Sequence, residues 1–263
     1  MIALALGGGV QSVTLLLLSL LEWEHPPDVV IFADTGWERP ATYAYLTWLE
    51  DYIARWGCTI IRVAAGNLQT DVLTGVAHQR RVVSLPFFLQ RPDGKPSGML
   101  LRQCTDQYKI RPIRQYLKAL RRRLQHGRHR QPPIDLWLGI SYDEVDRIKP
   151  STVQYLQHNY PLVTARMTRQ ECVHWLSSHD VPIPPKSACV CCPYRSPATR
   201  QDIRATEPDT WHELVTFDRM IRRFPHVEDA AFISKWRCPV EDEGDRVGDG
   251  ELFGNECSGY CGI

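Results

Sequence analysis

The N-terminal half of the chain carries a series of short, mostly apolar runs, and their spacing predicts strands that alternate with helices. Residues 2–6 form the first run and end in Gly7-Gly8-Gly9, after which residues 13–21 read as a buried helix. Further strands are expected over 28–33, 59–64 and 134–140, with an amphipathic helix over 40–56. Strands apolar on both faces and joined by helices form parallel sheets. The expected fold class is therefore α/β, a doubly wound, mostly parallel sheet with a smaller cysteine-rich C-terminal lobe. Ligands of such sheets bind beyond the carboxyl ends of the strands, where Gly7, Asp34 and Gly139 would emerge.

The remaining segments are less regular. Residues 66–103, with prolines at 86, 92 and 96, read as a mobile cover or a small insertion. A helix is expected over 108–124. Between Lys109 and Arg130 the chain holds nine Lys or Arg and no acid, against a net charge of only +1 for the whole chain. That run is either a solvated basic face or a patch for phosphates, including those of a nucleic acid. From Cys238 onward seven acids face one arginine, which reads as a flexible end or a segment folded back on the basic face.

With 263 residues, 43% of them hydrophobic, the chain can bury one sizeable core and an appended lobe. The division expected is 1–165 for the sheet domain and 166–263 for a helical, cysteine-rich region with an acidic tail. The first 22 residues lack a basic start, and three glycines interrupt them. The apolar stretch after Ser12 falls short of the roughly 20 residues that cross a bilayer. No export signal, no membrane partner and a cytoplasmic location are expected. In a reducing compartment nine cysteines point to metal or redox chemistry rather than disulfides. Cys58 and Cys172 lie in apolar, periodic surroundings and read as core residues.

Gly7, Gly8 and Gly9, followed by Gln11 and Ser12, put residues without a Cβ where a backbone must curl round an anion, and Ser12 is expected to open the helix. This segment resembles the Ser-Gly-Gly-x-Asp-Ser loop of the PP-loop (adenine nucleotide α-hydrolase) superfamily, matching it at Gly8, Gly9 and Ser12. Gln11 takes the place of the aspartate of the ATP pyrophosphatases, and is more similar to the phosphoadenosine phosphosulfate reductase branch. Asp34-Thr35-Gly36, with Pro40 and Thr42 after it, resembles the Asp-Thr-Gly segment of that branch, suited to ribose or adenine recognition. Gly139 to Arg147 resembles its Gly-x-Arg-x-x-x-x-x-Arg segment with Ser141 in place of the first arginine; Asp143 and Arg147 are the candidate catalytic residues, with Lys149 as a second anion clamp. Cys104-Thr105 with Lys109-Ile110 resembles the Cys-Thr, Leu-Lys-Ile segment of the same branch, including its DNA phosphorothioation members.

Cys189 and Cys192 form a C-x-x-C unit that can hold one metal from a single turn. A tetrahedral site needs four ligands, and Cys104, Cys191, Cys238, Cys257 and Cys261 compete for the other places. The expectation is a [4Fe-4S] cluster on Cys104, Cys189, Cys192 and Cys257, with a zinc staple as the alternative. Cys257 and Cys261 also resemble the Glu-Cys-Gly tail of sulfonucleotide reductases, where a thiolate attacks sulfur, so whichever of the two does not ligate is the candidate catalytic thiol.

The resemblance implies a Rossmann-like PP-loop domain that binds ATP or a related adenine nucleotide, with Mg2+, a sulfur- or electron-donor protein and a homodimer as further partners. Three functions follow. One is an ATP-dependent sulfurtransferase acting on a nucleic acid or nucleotide; another is a sulfonucleotide reductase using a tail cysteine; the third is a non-catalytic, zinc-stapled nucleotide-binding subunit.

Overall fold

The computed structural model of the protein describes residues 1–23, 25–78, 83, 85–124 and 131–244. Its first strand, β1 (Ile2–Leu6), runs into α1 (Val10–Leu21). Then come β2 (Val29–Ala33), α2 (Pro40–Ile53), β3 (Ile60–Val63), α3 (Leu68–Ala77), β4 (Phe88–Gln90) and β5 (Pro96–Met99). A π-helical turn over Asp106–Ile110 leads into α4 (Arg111–Leu124), β6 (Ile134–Leu138) and β7 (Leu156–Asn159). The chain continues through α5 (Pro161–Thr164), α6 (Arg169–Ser178), α7 (Pro197–Thr206), α8 (Pro208–Met220) and β8 (Ala230–Phe232).

Five strands form one parallel sheet in the order β3-β2-β1-β6-β7. The chain winds outward from β1 to β3, then crosses to the other side of β1 to make β6. The winding direction thus reverses between β1 and β6, and the loops that leave these two strands part there. Period-2 alternation sorts the side chains: Leu4, Leu6, Val30 and Phe32 pack under α1, α2 and α6, while Ala3, Ala5, Ile31 and Ala33 pack under Ile113 and Leu117 of α4. Both faces of the sheet are covered by helices. Among the described residues, no helix is long and apolar enough to cross a membrane.

Helix α1 begins at Val10, with Gly9 in extended conformation as its N-cap, so Ser12 lies inside the first turn rather than opening the helix. Polarity hides this start. Gln11 and Ser12 read as loop, yet both are buried.

The segment 66–103 does not stand apart as a cover. It contributes α3 and the β4–β5 hairpin, and β4 pairs antiparallel with β8, which arrives about 140 residues later in the chain. Leu68, Val72 and Phe87 share a second core with Val190, Leu214, Phe217 and Ile233. Conversely, α6 belongs with the sheet, because Cys172 and Leu176 pack in the first core against α1. The second core therefore joins chain from both sides of residue 165. Cys58 is partly buried against the first core.

At the sheet edge, His158 of β7 makes a 2.9 Å hydrogen bond through Nδ1 to the Lys149 carbonyl, and its Nε2 is buried without a partner among the described residues. Burial holds the imidazole below the ordinary histidine range, against the bond to Lys149 and with a smaller contribution from Arg114. The unfolded chain then takes up a proton before the folded one. The resulting stability is complete above the ordinary histidine pKa and is lost as pH falls toward the depressed one. Urea unfolding between pH 7.5 and 5 should show this loss, and His158→Asn should flatten it.

Candidate functional site

The glycine turn after β1 is closed by its own serine. Ser12 Oγ accepts from Gly7 N–H at 3.1 Å and donates to the Gly9 carbonyl at 3.2 Å. Gly8 sits at φ +72°, a left-handed conformation that disfavours any residue with a Cβ. The first turn of α1 carries no acid and no side-chain cap, so its N–H groups keep an unneutralised positive end. Gly139, leaving β6, lies hard against this turn: a Cβ there would stand 2.7 Å from both N and Cα of Ser12. Two glycines thus let the neighbouring strand exits converge at the switch point.

Gln11 is 3% exposed, with both ends of its amide engaged. Nε2 donates to Glu144 at 3.1 Å, and Oε1 accepts from Arg169 Nη1 at 3.0 Å. Asp143, Glu144 and Arg147 lie in a 3-10 turn, Tyr142–Arg147, where Arg147 pairs with Glu144. Asp143 accepts from Arg169 N–H at 3.0 Å. Burial works against its ionisation, but hydrogen bonds from Ser141 and Arg169 outweigh it and hold the carboxyl below its ordinary value. These residues brace the loop after β6 against α1 and α6.

Beyond β2, Asp34 Oδ1 accepts from Gly36 N–H and from Tyr43 Oη, each at 2.8 Å. Burial and that carboxylate push the Tyr43 phenol well up. Thr35 is 1% exposed, and its hydroxyl lies 3.3 Å from Cys189 Sγ and 3.3 Å from Glu38 Oε1. Glu38 in turn forms a buried ion pair with Lys109 at 3.2 Å, and its Oε2 has no partner among the described residues.

The cysteine segment lies directly on this framework. Ser187 Oγ donates to the Gly7 carbonyl at 2.5 Å, Cys189 makes a β-bridge with Glu38, and Val190 N–H donates to the Trp37 carbonyl at 2.9 Å. Cys104, Cys189, Cys191 and Cys192 line one cavity with Arg102 and Lys109. Burial pushes the Cys104 thiol up, opposed by Arg102 and Lys109, and pushes Cys189 and Cys191 far up. As free thiols they are neutral; a bound cation is what would ionise them. The structure thus brings Gly7, Gly8, Gly9, Thr35, Cys104, Cys189 and Cys192 into one neighbourhood. Cys257 and Cys261 lie outside the described residues.

No family model matches the chain, and no curated protein is significantly similar to it.

The basic run divides on folding. Lys109 is buried in the Glu38 pair, Arg111 pairs with Asp106 at 2.7 Å, and Arg114 donates to Thr152 at 3.1 Å. Arg121, Arg122 and Arg123 remain in the last turn of α4, where they also complement the helix dipole. That end lies toward the N-terminal edge of the sheet, since β6 follows it. The 14 residues of α4 span about 21 Å, which separates these arginines from the cysteine cavity. Residues 125–130 of the run lie outside the described residues.

Ser187, Glu38 and Arg195 complete the neighbourhood without having stood out as site residues in the sequence. Charged and hydroxyl side chains in loops read as solvated, and proximity to the C-x-x-C unit is the single local cue to Ser187 and Arg195.

Proposed function

We propose that this protein is an adenine-nucleotide-dependent sulfurtransferase of the PP-loop, phosphoadenosine phosphosulfate reductase-like kind, acting on a nucleic acid or nucleotide. One observation carries the reading: the cysteine segment is seated on the glycine turn through the bond from Ser187 to Gly7, with Cys189 against the Thr35 hydroxyl. A nucleotide over Gly7 to Gly9 would be held by backbone N–H groups of the turn and of α1, whose first turn Gly139 allows to lie against the exit of β6.

The donor set suits a thiophilic metal. Soft thiols from Cys104, Cys189 and Cys192 face one cavity, and the lining holds no carboxylate among the described residues. Cys257 is the proposed fourth ligand and Cys261 the free thiol. Such a centre, when bound, supplies a site that holds or delivers sulfur.

Chemically, an acceptor oxygen attacks the α-phosphorus of ATP, so that the O–P bond forms and pyrophosphate leaves. A sulfur anion from a donor then forms the C–S bond, and the C–O bond breaks with loss of AMP. Within the chain, Gly7 to Gly9 bind, Thr35 and Glu38 fix Cys189, and the bracing around Gln11 keeps the turn in shape. The glutamine amide is committed to Glu144 and Arg169 and, being neutral, brings no carboxylate charge to a Mg2+ ion.

The engagement of Gln11, in place of a metal-binding carboxylate, favours a second reading, sulfonucleotide reduction. There a tail thiolate attacks the sulfonate sulfur, forming an S–S bond as the nucleotide phosphate leaves, and an external thiol pair then reduces the S-sulfocysteine to release sulfite.

The protein purified without oxygen should carry about four irons and four sulfides per chain. Cys192→Ala should lose them. AMP and pyrophosphate made from ATP in the presence of acceptor support the first reading; sulfite released from phosphoadenosine phosphosulfate supports the second. Stoichiometric zinc, no iron and no turnover would reduce the C-x-x-C to a staple.

A further inference from the structure

Arg195 is 2% exposed and sits three residues after Cys192. Two tight turns bring it back under the cysteine pair: Cys192 N–H donates to the Cys189 carbonyl at 3.0 Å, and Arg195 N–H to the Cys192 carbonyl at 3.1 Å. Its Nη2 donates to the Ala188 carbonyl and, at 3.0 Å, to that of Cys189. Nε and Nη1 are buried with no partner among the described residues.

The surrounding charges sharpen the anomaly. Buried Arg39 is matched by Asp202 and Glu207, and buried Arg200 by Glu243. Glu38, the carboxylate nearest the cysteines, already serves Lys109. No carboxylate among the described residues forms an ion pair with Arg195, and burial pushes its pKa down. A buried guanidinium with idle donors calls for an anion. The groups beside it that gain negative charge on binding a cation are the sulfurs of Cys189 and Cys192.

We infer that Arg195 is a positioning residue for the cysteine metal centre, giving its idle Nε and Nη1 donors to the ligating sulfurs of Cys189 and Cys192 and offsetting their charge. This rests on the metal reading proposed above. Outer-shell donors of this kind are typically worth about 10–100-fold in metal affinity.

The test uses the full chain with its metal as purified, and the same chain stripped by chelator. Arg195→Gln removes the charge but retains an amide donor for the carbonyls; Arg195→Lys keeps the charge. Two quantities are read: the chelator concentration that removes half the metal, and the rise in Tm on loading. Arg195→Gln should release its metal at about 10–100-fold lower free chelator and gain less Tm on loading than the wild type, with Arg195→Lys between them. A purely structural role, with buried water satisfying the donors, lowers the Tm of loaded and stripped forms equally, leaves the chelator midpoint unmoved, and overturns the inference. If Arg195→Gln does not fold, Arg195→Lys decides: a chelator midpoint equal to wild type overturns the inference. A wild-type chain that binds neither iron nor zinc overturns the metal reading and the inference with it, whereas a loaded wild type with insensitive variants overturns the Arg195 assignment alone.

Discussion

Replacing Glu243 with alanine should cost about 3–5 kcal/mol of unfolding free energy, the usual penalty for stripping one partner from a buried ion pair. Arg200 and Glu243 are each about 3% exposed and meet in a two-pronged geometry, Nε to Oε2 at 2.6 Å and Nη2 to Oε1 at 2.7 Å. Alanine leaves the buried guanidinium without its counter-charge. Urea unfolding of Glu243→Ala, beside an Arg200→Met, Glu243→Leu double variant, separates the two contributions. The double variant should regain much of the loss, because an apolar pair avoids the desolvation that the lone arginine suffers. Equal losses in all variants would mean that side-chain packing, not charge pairing, holds the site. Arg200 also donates to the Arg195 carbonyl, so this pair fixes the place beside the cysteine segment from which the acidic tail with Cys257 and Cys261 departs.

The second large effect is expected at Gly139. Alanine there puts a Cβ 2.7 Å from two backbone atoms of Ser12, and a backbone cannot rotate out of the way as a side-chain tip can. Either α1 or the exit of β6 must shift, at an overpacking cost of about 1–3 kcal/mol. The displaced atoms belong to the turn proposed to hold the nucleotide, so ATP affinity should fall by at least about tenfold, equivalent to ~1.4 kcal/mol. Gly9→Ala is the control for stability. Its Cβ would meet Ser187 no closer than 4.0 Å, and it should unfold at the wild-type temperature. Calorimetric titration with ATP and thermal unfolding of both variants check the pair of outcomes. A Gly139→Ala chain with wild-type stability and affinity would show that α1 yields at this contact without consequence.

Much of the sheet domain was legible before folding was considered. β1 and β2 are runs of apolar residues bounded by glycine or polar breaks, the composition a strand buried on both faces requires, while β3 and β6 are mostly apolar with one charged residue each, Arg62 and Asp135. The tight turn at the exit of β1 was legible because three glycines at a strand-to-helix junction let the backbone take conformations closed to other residues. The cysteine pair was legible because both members lie in one turn.

Other features depended on partners distant in sequence. The start of α1 was misplaced because Gln11 and Ser12 are polar, and only Glu144, Arg169 and the turn itself make their burial tolerable. The segment 66–103 read as a cover or a small insertion because its strands are short and its apolar residues have no local period; β8 and α8 supply the partners. Lys109 was counted in a run read as a solvated basic face or a phosphate patch, although its ammonium pairs with Glu38, some seventy residues earlier in the chain. Arg195 gave no cue beyond its place just after the C-x-x-C unit, since an arginine after a cysteine loop is ordinarily solvated.

By itself, then, the sequence determined the α/β class, the parallel sheet, the glycine turn at the β1 exit and the cysteine pair, all consequences of local periodicity and short-range chemistry. Only the tertiary structure decided that a second core is assembled from chain on both sides of residue 165, that the cysteines rest on the glycine turn, and which charges are buried. Local pattern states which face of an element must be covered; it carries no information about what covers it.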